Sequence, residues 1–225
     1  KQTSGEVVFN TAMVGYPEAL TDPSYRGQLL CCTYPLIGNY GVPRDERDDL
    51  GLPVHFESDA IHVSALLVSE YSHEPCHWNA SKTLGEWLAE NDIPGLYGID
   101  TRQLTKHIRE RGAMLGRIVP AGVSDSDVKQ WDPNQTNLVA QVSLKAPRTF
   151  VSLAPPRLNA AGKRMRILAV DCGIKANIIR YFMDKGVEVL LVPHDYDFTN
   201  EAYDGLFVSN GPGDPSRCAT TIGPR

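Results

Sequence analysis

The stretch LFVSNGPGDP, residues 206–215, decides the fold of the second half of this chain. A short apolar run typical of a strand stops at a turn that holds two glycines and two prolines. The prolines restrict φ, whereas Gly211 and Gly213 accept positive φ and let another group approach the backbone closely. Such a loop at the carboxyl end of a parallel strand is where open α/β sheets bind ligands. An ordinary strand-ending turn is the alternative, and the stretch alone does not separate the two.

Upstream of this loop, the sequence predicts a doubly wound parallel sheet. Three runs have the apolar composition of its strands: residues 166–171, 187–192 and 205–209. Between the first two runs, Ile174, Ile178 and Phe182 mark one face of a helix that ends near Gly186. Three strands and one helix cannot bury both faces of such a sheet, and residues 217–225 do not predict the helix that should follow. We therefore expect half of an α/β domain, either truncated or completed by something else.

The first part of the chain predicts a β-rich α+β domain. Strand patterns occupy four stretches: residues 6–11, 28–34, 61–68 and 115–119. Ser81 is the expected N-cap of a helix that carries Leu84, Trp87 and Leu88, and Asp100 that of a helix over residues 101–111. The proline-rich, aperiodic residues 148–164 predict a linker. The expected domains are thus residues 1–147 and, after the linker, residues 165–225.

Composition narrows the class of protein. Of the 225 residues, 42% are hydrophobic, and the net charge is -5. The sequence has no basic stripe, so binding to nucleic acid is not expected. No apolar run reaches the roughly 18 residues that span a bilayer, so no membrane partner is expected. The sequence begins on a polar stretch that does not resemble a signal peptide. Five cysteines without regular spacing favour a reducing, cytoplasmic compartment over a disulfide framework.

Several stretches together resemble the small, glutamine-hydrolysing subunit of carbamoyl-phosphate synthetase. They are residues 5–11 (GEVVFNT), 15–25 (GYPEALTDPSY), 39–43 (NYGVP), 98–102 (GIDTR) and 209–215 (SNGPGDP). The resemblance runs over nearly the whole chain up to Ser216. Residues 36–43 (LIGNYGVP) look most like the cytosolic version fused into the animal multifunctional pyrimidine-synthesis protein, and less like the mitochondrial urea-cycle enzyme.

The resemblance implies a synthetase-type small-subunit N-terminal domain followed by a class I glutamine amidotransferase domain. In that family a cysteine attacks the glutamine amide with a histidine base and a glutamate that orients it, and ammonia passes to a synthetase partner. The partner, a large subunit or domain, uses bicarbonate, ATP and Mg²⁺; no cofactor is expected in this chain. Ser24, Gly211 and Gly213 match the family positions that contact L-glutamine, and the Gly211 amide matches an oxyanion-hole donor.

The sequence departs from the family at its catalytic residues. The family nucleophile lies in a Gly-x-Cys-x-Gly context downstream of the glycine loop, which nothing here matches. Cys172 follows the first amidotransferase strand and is expected to be structural; Cys218 comes too soon after the loop and lacks flanking glycines. We therefore expect no catalytic residue in this chain and interpret it as a fragment or an aberrant product, trimmed at both ends.

Other candidate residues have simpler interpretations. His73, Cys76 and His77 fit no standard zinc spacing, so no metal site is expected. Asp100 is expected to be a helix cap, and Arg102 serves either the synthetase interface or an internal ion pair. For Ser24, a turn or cap role is the alternative to glutamine contact.

Three hypotheses follow for the whole chain. The parent protein is a glutamine-dependent carbamoyl-phosphate synthase of pyrimidine or arginine synthesis, and this chain alone lacks glutaminase activity. Alternatively, the chain is a non-catalytic module that docks on the synthetase. In the third hypothesis, the second half does not fold by itself, and proteolysis cuts it first.

Overall fold

The computed structural model describes residues 3–222 and divides the chain into two units. The first comprises residues up to Arg47 together with Pro53–Gln135. The second comprises Asp48–Leu52 and the residues from Thr136 onward. The division therefore falls earlier than the expected linker, and the second unit takes five residues from within the first half of the chain.

The first unit is a five-stranded sheet with helices between its strands. In chain order its elements are β1 (Thr3–Asn10), α1 (Tyr16–Leu20), β2 (Gln28–Cys32), β3 (Ala65–Val68), α2 (Leu84–Glu90), β4 (Gly95–Leu96), α3 (Thr101–Arg111) and β5 (Met114–Ile118). The strand order is β4-β3-β2-β1-β5, and only β5 is antiparallel to its neighbour. The sequence predicted β1, β2, β3 and β5 but not the two-residue β4, nor that four of the five strands run parallel.

Both faces of the central strands of this sheet are covered. On β2, Leu30 packs with Leu20 and Leu84 on one face, whereas Leu29 packs with Ile108 on the other. All four residues of β3 are buried, which is typical of a parallel strand between two layers. Burial of this kind stabilises the unit by roughly 25 cal/mol per Å² of apolar surface.

Helix α2 corrects one expectation about a cap. Its N-cap is Thr83, not Ser81: the Thr83 hydroxyl accepts a hydrogen bond from the Glu86 N–H, and the Glu86 carboxylate accepts one from the Thr83 N–H. This is the reciprocal capping box. Ser81 Oγ instead donates to the carbonyl of Val42. Asp100 caps α3 as predicted, since its carboxylate accepts from the Gln103 N–H at 2.9 Å.

The second unit contains a four-stranded sheet of order β6-β8-β7-β9. Its elements are α4 (Val139–Val142), β6 (Arg148–Val151), β7 (Arg166–Asp171), α5 (Ala176–Asp184), β8 (Glu188–Pro193), β9 (Gly205–Val208) and α6 (Ala219–Ile222). Strands β7, β8 and β9 are parallel, as predicted. Strand β6 lies within the residues expected to be a linker. It pairs antiparallel with β8, and its Phe150 is buried against the sheet.

Helix α5 covers one face of this sheet, but with a different set of residues from the predicted one. Ala176, Ile179 and Met183 are its buried positions, whereas Ile178 and Phe182 are only partly buried. Ile174 precedes the helix. The buried face of the helix is thus shifted by one residue from the predicted one, to Ile179 and Met183 in place of Ile178 and Phe182.

The other face of the second sheet is covered less completely. Val139 of α4 and Cys218 pack against Leu168 and Val192 there. On β9, however, Leu206 and Val208 remain 49% and 55% exposed. Residues 219–222 form a short helix that the sequence did not predict; the rest of that stretch, 223–225, lies outside the described residues.

The segment Asp48–Leu52 is a compact loop of the second unit. The Asp48 carboxylate accepts hydrogen bonds from the N–H groups of Leu50 and Leu52, both at 2.9 Å. Leu52 is buried in the core formed by α5 and the sheet, and the Arg148 guanidinium donates to the Leu50 carbonyl at 2.7 Å. In residues 3–222 the longest helix has 11 residues, and none has the length and apolarity needed to cross a bilayer.

Candidate functional site

The glycine loop lies at the carboxyl ends of β7 and β9 and is tied to the loop that follows β7. The Ser209 N–H donates to the Val170 carbonyl at 3.1 Å, and the Cys172 N–H donates to Ser209 Oγ at 2.9 Å. The Ser209 hydroxyl in turn donates to the Asn210 carbonyl at 2.8 Å. These bonds hold the start of the loop rigidly against the neighbouring strand end.

Asp171 organises the other side of this sheet edge. Its buried carboxylate accepts three backbone hydrogen bonds: from Gly173 at 2.9 Å, Ile174 at 2.8 Å and Leu144 at 2.7 Å. Because all three donors are backbone N–H groups, the Asp171 carboxylate holds the backbone of residues 171–174 in place directly. The sequence placed this aspartate only at the end of a strand, and its role as the centre of the loop was missed.

Gly211 is required by close packing. A Cβ atom at this position would lie 1.8 Å from the Cys172 carbonyl oxygen. The glycine therefore brings two backbones together at the strand ends. Within residues 3–222, no hydrogen bond uses the Gly211 N–H, so this half-buried donor is available to a ligand.

Gly213 and Asp214 shape the second half of the loop. Gly213 has φ +77°, the left-handed region that the sequence predicted for a glycine here. The Asp214 carboxylate accepts from the Ser216 N–H at 2.8 Å and caps a 3₁₀ turn, Pro215–Arg217. This bond lowers the pKa of the exposed Asp214 carboxyl. The structure thus brings Gly211 and Gly213 together in one rigid loop.

Ser24 lies in the first unit, on a 3₁₀ turn, Pro23–Tyr25, that directly follows α1. The Asp22 carboxylate accepts from the Ser24 N–H at 2.9 Å, so the cap of this turn is Asp22. Thr21, buried before it, donates to the Pro17 carbonyl at 2.8 Å and accepts from the Glu57 N–H at 3.0 Å. The turn is firmly held, and the role of the Ser24 hydroxyl in binding glutamine stays a prediction.

Cys172 and Cys218, the two cysteines near the glycine loop, both have a raised pKa, as buried structural thiols do. Burial, with smaller effects of Cys218 and Asp171, raises the pKa of Cys172 to about 11. Burial and Asp214 also raise the pKa of Cys218. A cysteine nucleophile needs a lowered pKa, so these values support the structural interpretation of both residues. All five cysteines are free.

His73 and His77 both lie next to aromatic rings. His73 packs edge-on against Tyr71, with ring centroids 4.7 Å apart, and His77 lies 5.5 Å from the ring of Trp78. No group of three or more histidine, cysteine or acidic side chains within the described part of the chain could hold a metal ion. Arg102 is exposed, and none of the ion pairs found in residues 3–222 includes it.

Two family models match separate parts of the chain. Residues 1–118 match the family model of the carbamoyl-phosphate synthase small chain, CPSase domain. Residues 168–224 match the model of the class-I glutamine amidotransferases, a range that includes the glycine loop, β9 and most of β7.

Individual relatives are much longer than this chain. It is 52% identical to Multifunctional protein ura1 of Schizosaccharomyces pombe, over 95% of this chain and 10% of that protein. Identity to Multifunctional protein CAD of Squalus acanthias is 51%, over 97% of this chain and 9% of that protein. The mouse protein "Carbamoyl-phosphate synthase [ammonia], mitochondrial" is 50% identical, over 95% of this chain and 14% of its own length. The chain therefore spans about a tenth of these relatives, and their identities do not separate the cytosolic from the mitochondrial version.

Proposed function

The chain belongs to the family of carbamoyl-phosphate synthase small chains, and from this premise we propose that it forms the glutamine-binding part of a glutamine-dependent carbamoyl-phosphate synthase. The single observation that carries the proposal is the unused N–H of Gly211 at the carboxyl ends of β7 and β9. Open parallel sheets bind ligands at this edge. The match to the amidotransferase model over the same residues supports glutamine as that ligand.

The chemical role that suits Gly211 is stabilisation of negative charge. When a nucleophile attacks an amide, the carbonyl oxygen becomes an oxyanion that needs a fixed donor. The Gly211 N–H is such a donor, because the loop is pinned to Val170 and Cys172 and need not reorganise. Removing one donor of this kind costs on the order of 100- to 1000-fold in rate. For Ser24, we propose a separate contact with glutamine through its hydroxyl.

The remaining steps are assigned to partners. We propose that ammonia released from glutamine passes to a carbamoyl-phosphate synthetase subunit or domain that binds ATP, Mg²⁺ and bicarbonate. The product enters pyrimidine or arginine synthesis. A cytoplasmic location is proposed from the free cysteines and from residues 36–43; cell fractionation tests it, and recovery with mitochondria would contradict it.

Glutamine binding is tested by nuclear magnetic resonance on the ¹⁵N-labelled chain. Titration with L-glutamine is expected to shift the Gly211 amide and to leave Gly162 unshifted, since Gly162 donates to Asn159 in a distant turn. Ser24→Ala is expected to weaken binding by about fivefold, the loss of one neutral hydrogen bond of ~1 kcal/mol. D-glutamine serves as the matched control. If Gly211 does not respond to L-glutamine, the proposal is wrong.

Catalysis by the chain alone is a separate question. We expect no glutaminase activity, because the raised pKa of Cys172 and of Cys218 leaves neither thiol ionised at neutral pH. The measurement is ammonia release from glutamine by purified protein against a buffer blank. Release that disappears in Gly211→Pro, which removes the N–H, would show that the chain is catalytically complete.

A second candidate function is docking without catalysis. It is favoured by the raised pKa values of these cysteines and by the 50% identity to a mouse relative whose name specifies ammonia. In this case the chain co-elutes with a separately expressed synthetase domain and releases no ammonia from glutamine. If the two proteins do not co-elute, docking is ruled out. The proposal of glutamine binding is then tested by the nuclear magnetic resonance titration alone.

A further inference from the structure

A cleft of about 320 Å³ opens in the first unit between α2 and the β3–β4 edge of the sheet. Its floor is aliphatic: Leu66, Val68, Leu84, Leu88, Ile93 and Leu96. The lining lies entirely within the described residues and includes no aspartate, glutamate, lysine or arginine. The cleft belongs neither to the glycine loop nor to the turn that carries Ser24.

Three aromatic rings form one wall of this cleft. Tyr71 and His73 meet edge to face at 4.7 Å, and Tyr97 lies 6.0 Å from His73 and 6.5 Å from Tyr71. Tyr97 is 66% exposed although its ring is large and apolar. Aromatic rings arranged in this way offer both edges and faces to a further ring.

One polar group points to the kind of ligand. The Tyr71 hydroxyl accepts a hydrogen bond from the Gly85 N–H at 2.9 Å, in the first turn of α2. A Cβ at Gly85 would lie 2.8 Å from this hydroxyl oxygen, so the glycine makes room for the bond. Among residues 3–222, the Tyr71 hydroxyl proton has no acceptor, so this hydroxyl can donate to a ligand.

We propose that this cleft binds a small, uncharged aromatic molecule of about two fused rings that carries one hydrogen-bond acceptor. The volume sets the size: an apolar cavity of roughly 150 Å³ accommodates benzene, and this cleft has about twice that volume. Because the lining has no aspartate, glutamate, lysine or arginine, it disfavours ionic ligands, whose charge would lose hydration there. The Tyr71 hydroxyl supplies a donor for that acceptor, and the Tyr97 hydroxyl and the His73 ring also lie in the lining.

A protein partner fits this cleft less well. A stable interface buries about 800 Å² on each side. The lining of this cleft comprises only twelve residues, whereas an interface of that size engages about 20 to 30 residues on each side. Strand β4 has only two residues, so it also offers little backbone for a partner strand to pair with.

The test uses the full chain and quinoline, which has two fused rings and one acceptor nitrogen. Binding is measured by saturation-transfer nuclear magnetic resonance and calorimetry at pH 7.5. Ala89→Phe fills the cleft from the exposed side of α2, and we expect it to weaken quinoline binding by about tenfold or more. Lys106→Phe places the same ring on the exposed face of α3, away from the cleft, and is expected to leave quinoline binding unchanged.

The comparator is quinoline-2-carboxylate, which keeps the rings and adds a charge. We expect it not to bind, and unchanged circular dichroism of Ala89→Phe to show that the variant is folded. The proposal is overturned if quinoline does not bind, if Ala89→Phe binds it as well as the parent, or if Lys106→Phe weakens it equally. Self-association of the chain that Ala89→Phe abolishes, without quinoline binding, would assign the cleft to a second copy instead.

Discussion

Strand β2, inside the first sheet, and strand β9, at the edge of the second, differ in how completely they are covered. In the first unit, Leu30 on β2 is fully buried, and neighbours pack on both faces of the central strands. In the second unit, β9 alternates between half-buried and exposed residues, and Leu206 is 49% exposed. The strand that leads into the glycine loop is therefore the less buried one. The candidate ligand loop thus follows an exposed edge strand, whereas β7 and β8 of the same sheet are largely buried.

A pair of leucine substitutions tests this comparison most directly. Leu30→Ala is expected to lower the free energy of unfolding of the first unit by about 3 kcal/mol, because it leaves a cavity in a closed core. Leu206→Ala is expected to cost about 0.5 kcal/mol. Denaturant unfolding combined with native-state hydrogen exchange assigns each loss to its unit. Equal losses would mean that β9 is as well covered as β2.

Acid is expected to act on the first unit through His62. Burial, together with Arg26, lowers the pKa of His62 from 6.5 to about 4 in the folded chain, while Asp22 opposes the shift. The unfolded chain then takes up the proton first. Stability is therefore full above about pH 6.5 and is lost as the pH falls toward 4. Between pH 7 and pH 5 the loss should be roughly 2 kcal/mol.

The control for this pH dependence is His62→Gln, which lacks the titrating ring. Urea unfolding followed at several pH values should show a flatter profile for the variant than for the parent. The Ser58 hydroxyl that bonds the ring remains available to the glutamine amide. A parent profile that is equally flat would show that His62 protonates without cost.

A glycine pair sharpens the comparison within the second unit. Gly211→Ala is expected to cost about 2 kcal/mol, since its Cβ would collide with the Cys172 carbonyl oxygen. Gly205→Ala, at the other end of β9, meets only the flexible end of Ile167 and should be close to neutral. Thermal unfolding measures both. If both variants are neutral, the loop adjusts more freely than its hydrogen bonds indicate.

The smallest effect concerns the cap of α2. Thr83→Ala should destabilise the first unit by about 1 kcal/mol because it removes the capping box. Ser81→Ala removes a single hydrogen bond to Val42 outside the helix and should cost less. Urea unfolding at pH 7 ranks the two. The reverse order would restore Ser81 as the cap.

The sequence predicted best what depends on local pattern. The run 166–171 is strand β7 to the residue, since a continuous apolar run bounded by polar residues permits little else. Asp100 and Gly112 marked both ends of α3. The capping box of α2 was also visible, because Thr83 and Glu86 have its spacing, but Ser81 was chosen two residues too early.

What the sequence did not predict depends on distant partners. Strand β6 is short and lies among prolines, and only its pairing with β8 makes it a strand. For Gly211 the sequence allowed either a positive φ or the close approach of another group, but it did not identify that group as the Cys172 backbone. In both cases the deciding group lies far away in the chain, where no local pattern reports it. The contact of Ser24 with glutamine stays a prediction for the same reason.

The loop Asp48–Leu52 has a consequence for how this protein is made. A ribosome completes these five residues long before the strands that they support, so Leu52 waits for its partners until β8 has been synthesised. The core of the second unit is thus encoded at two separated places in the gene. An expression plasmid cut between the units at residue 135 would deliver a second half with a hole where Leu52 belongs. Joining residues 48–52 back through a designed linker is the direct remedy.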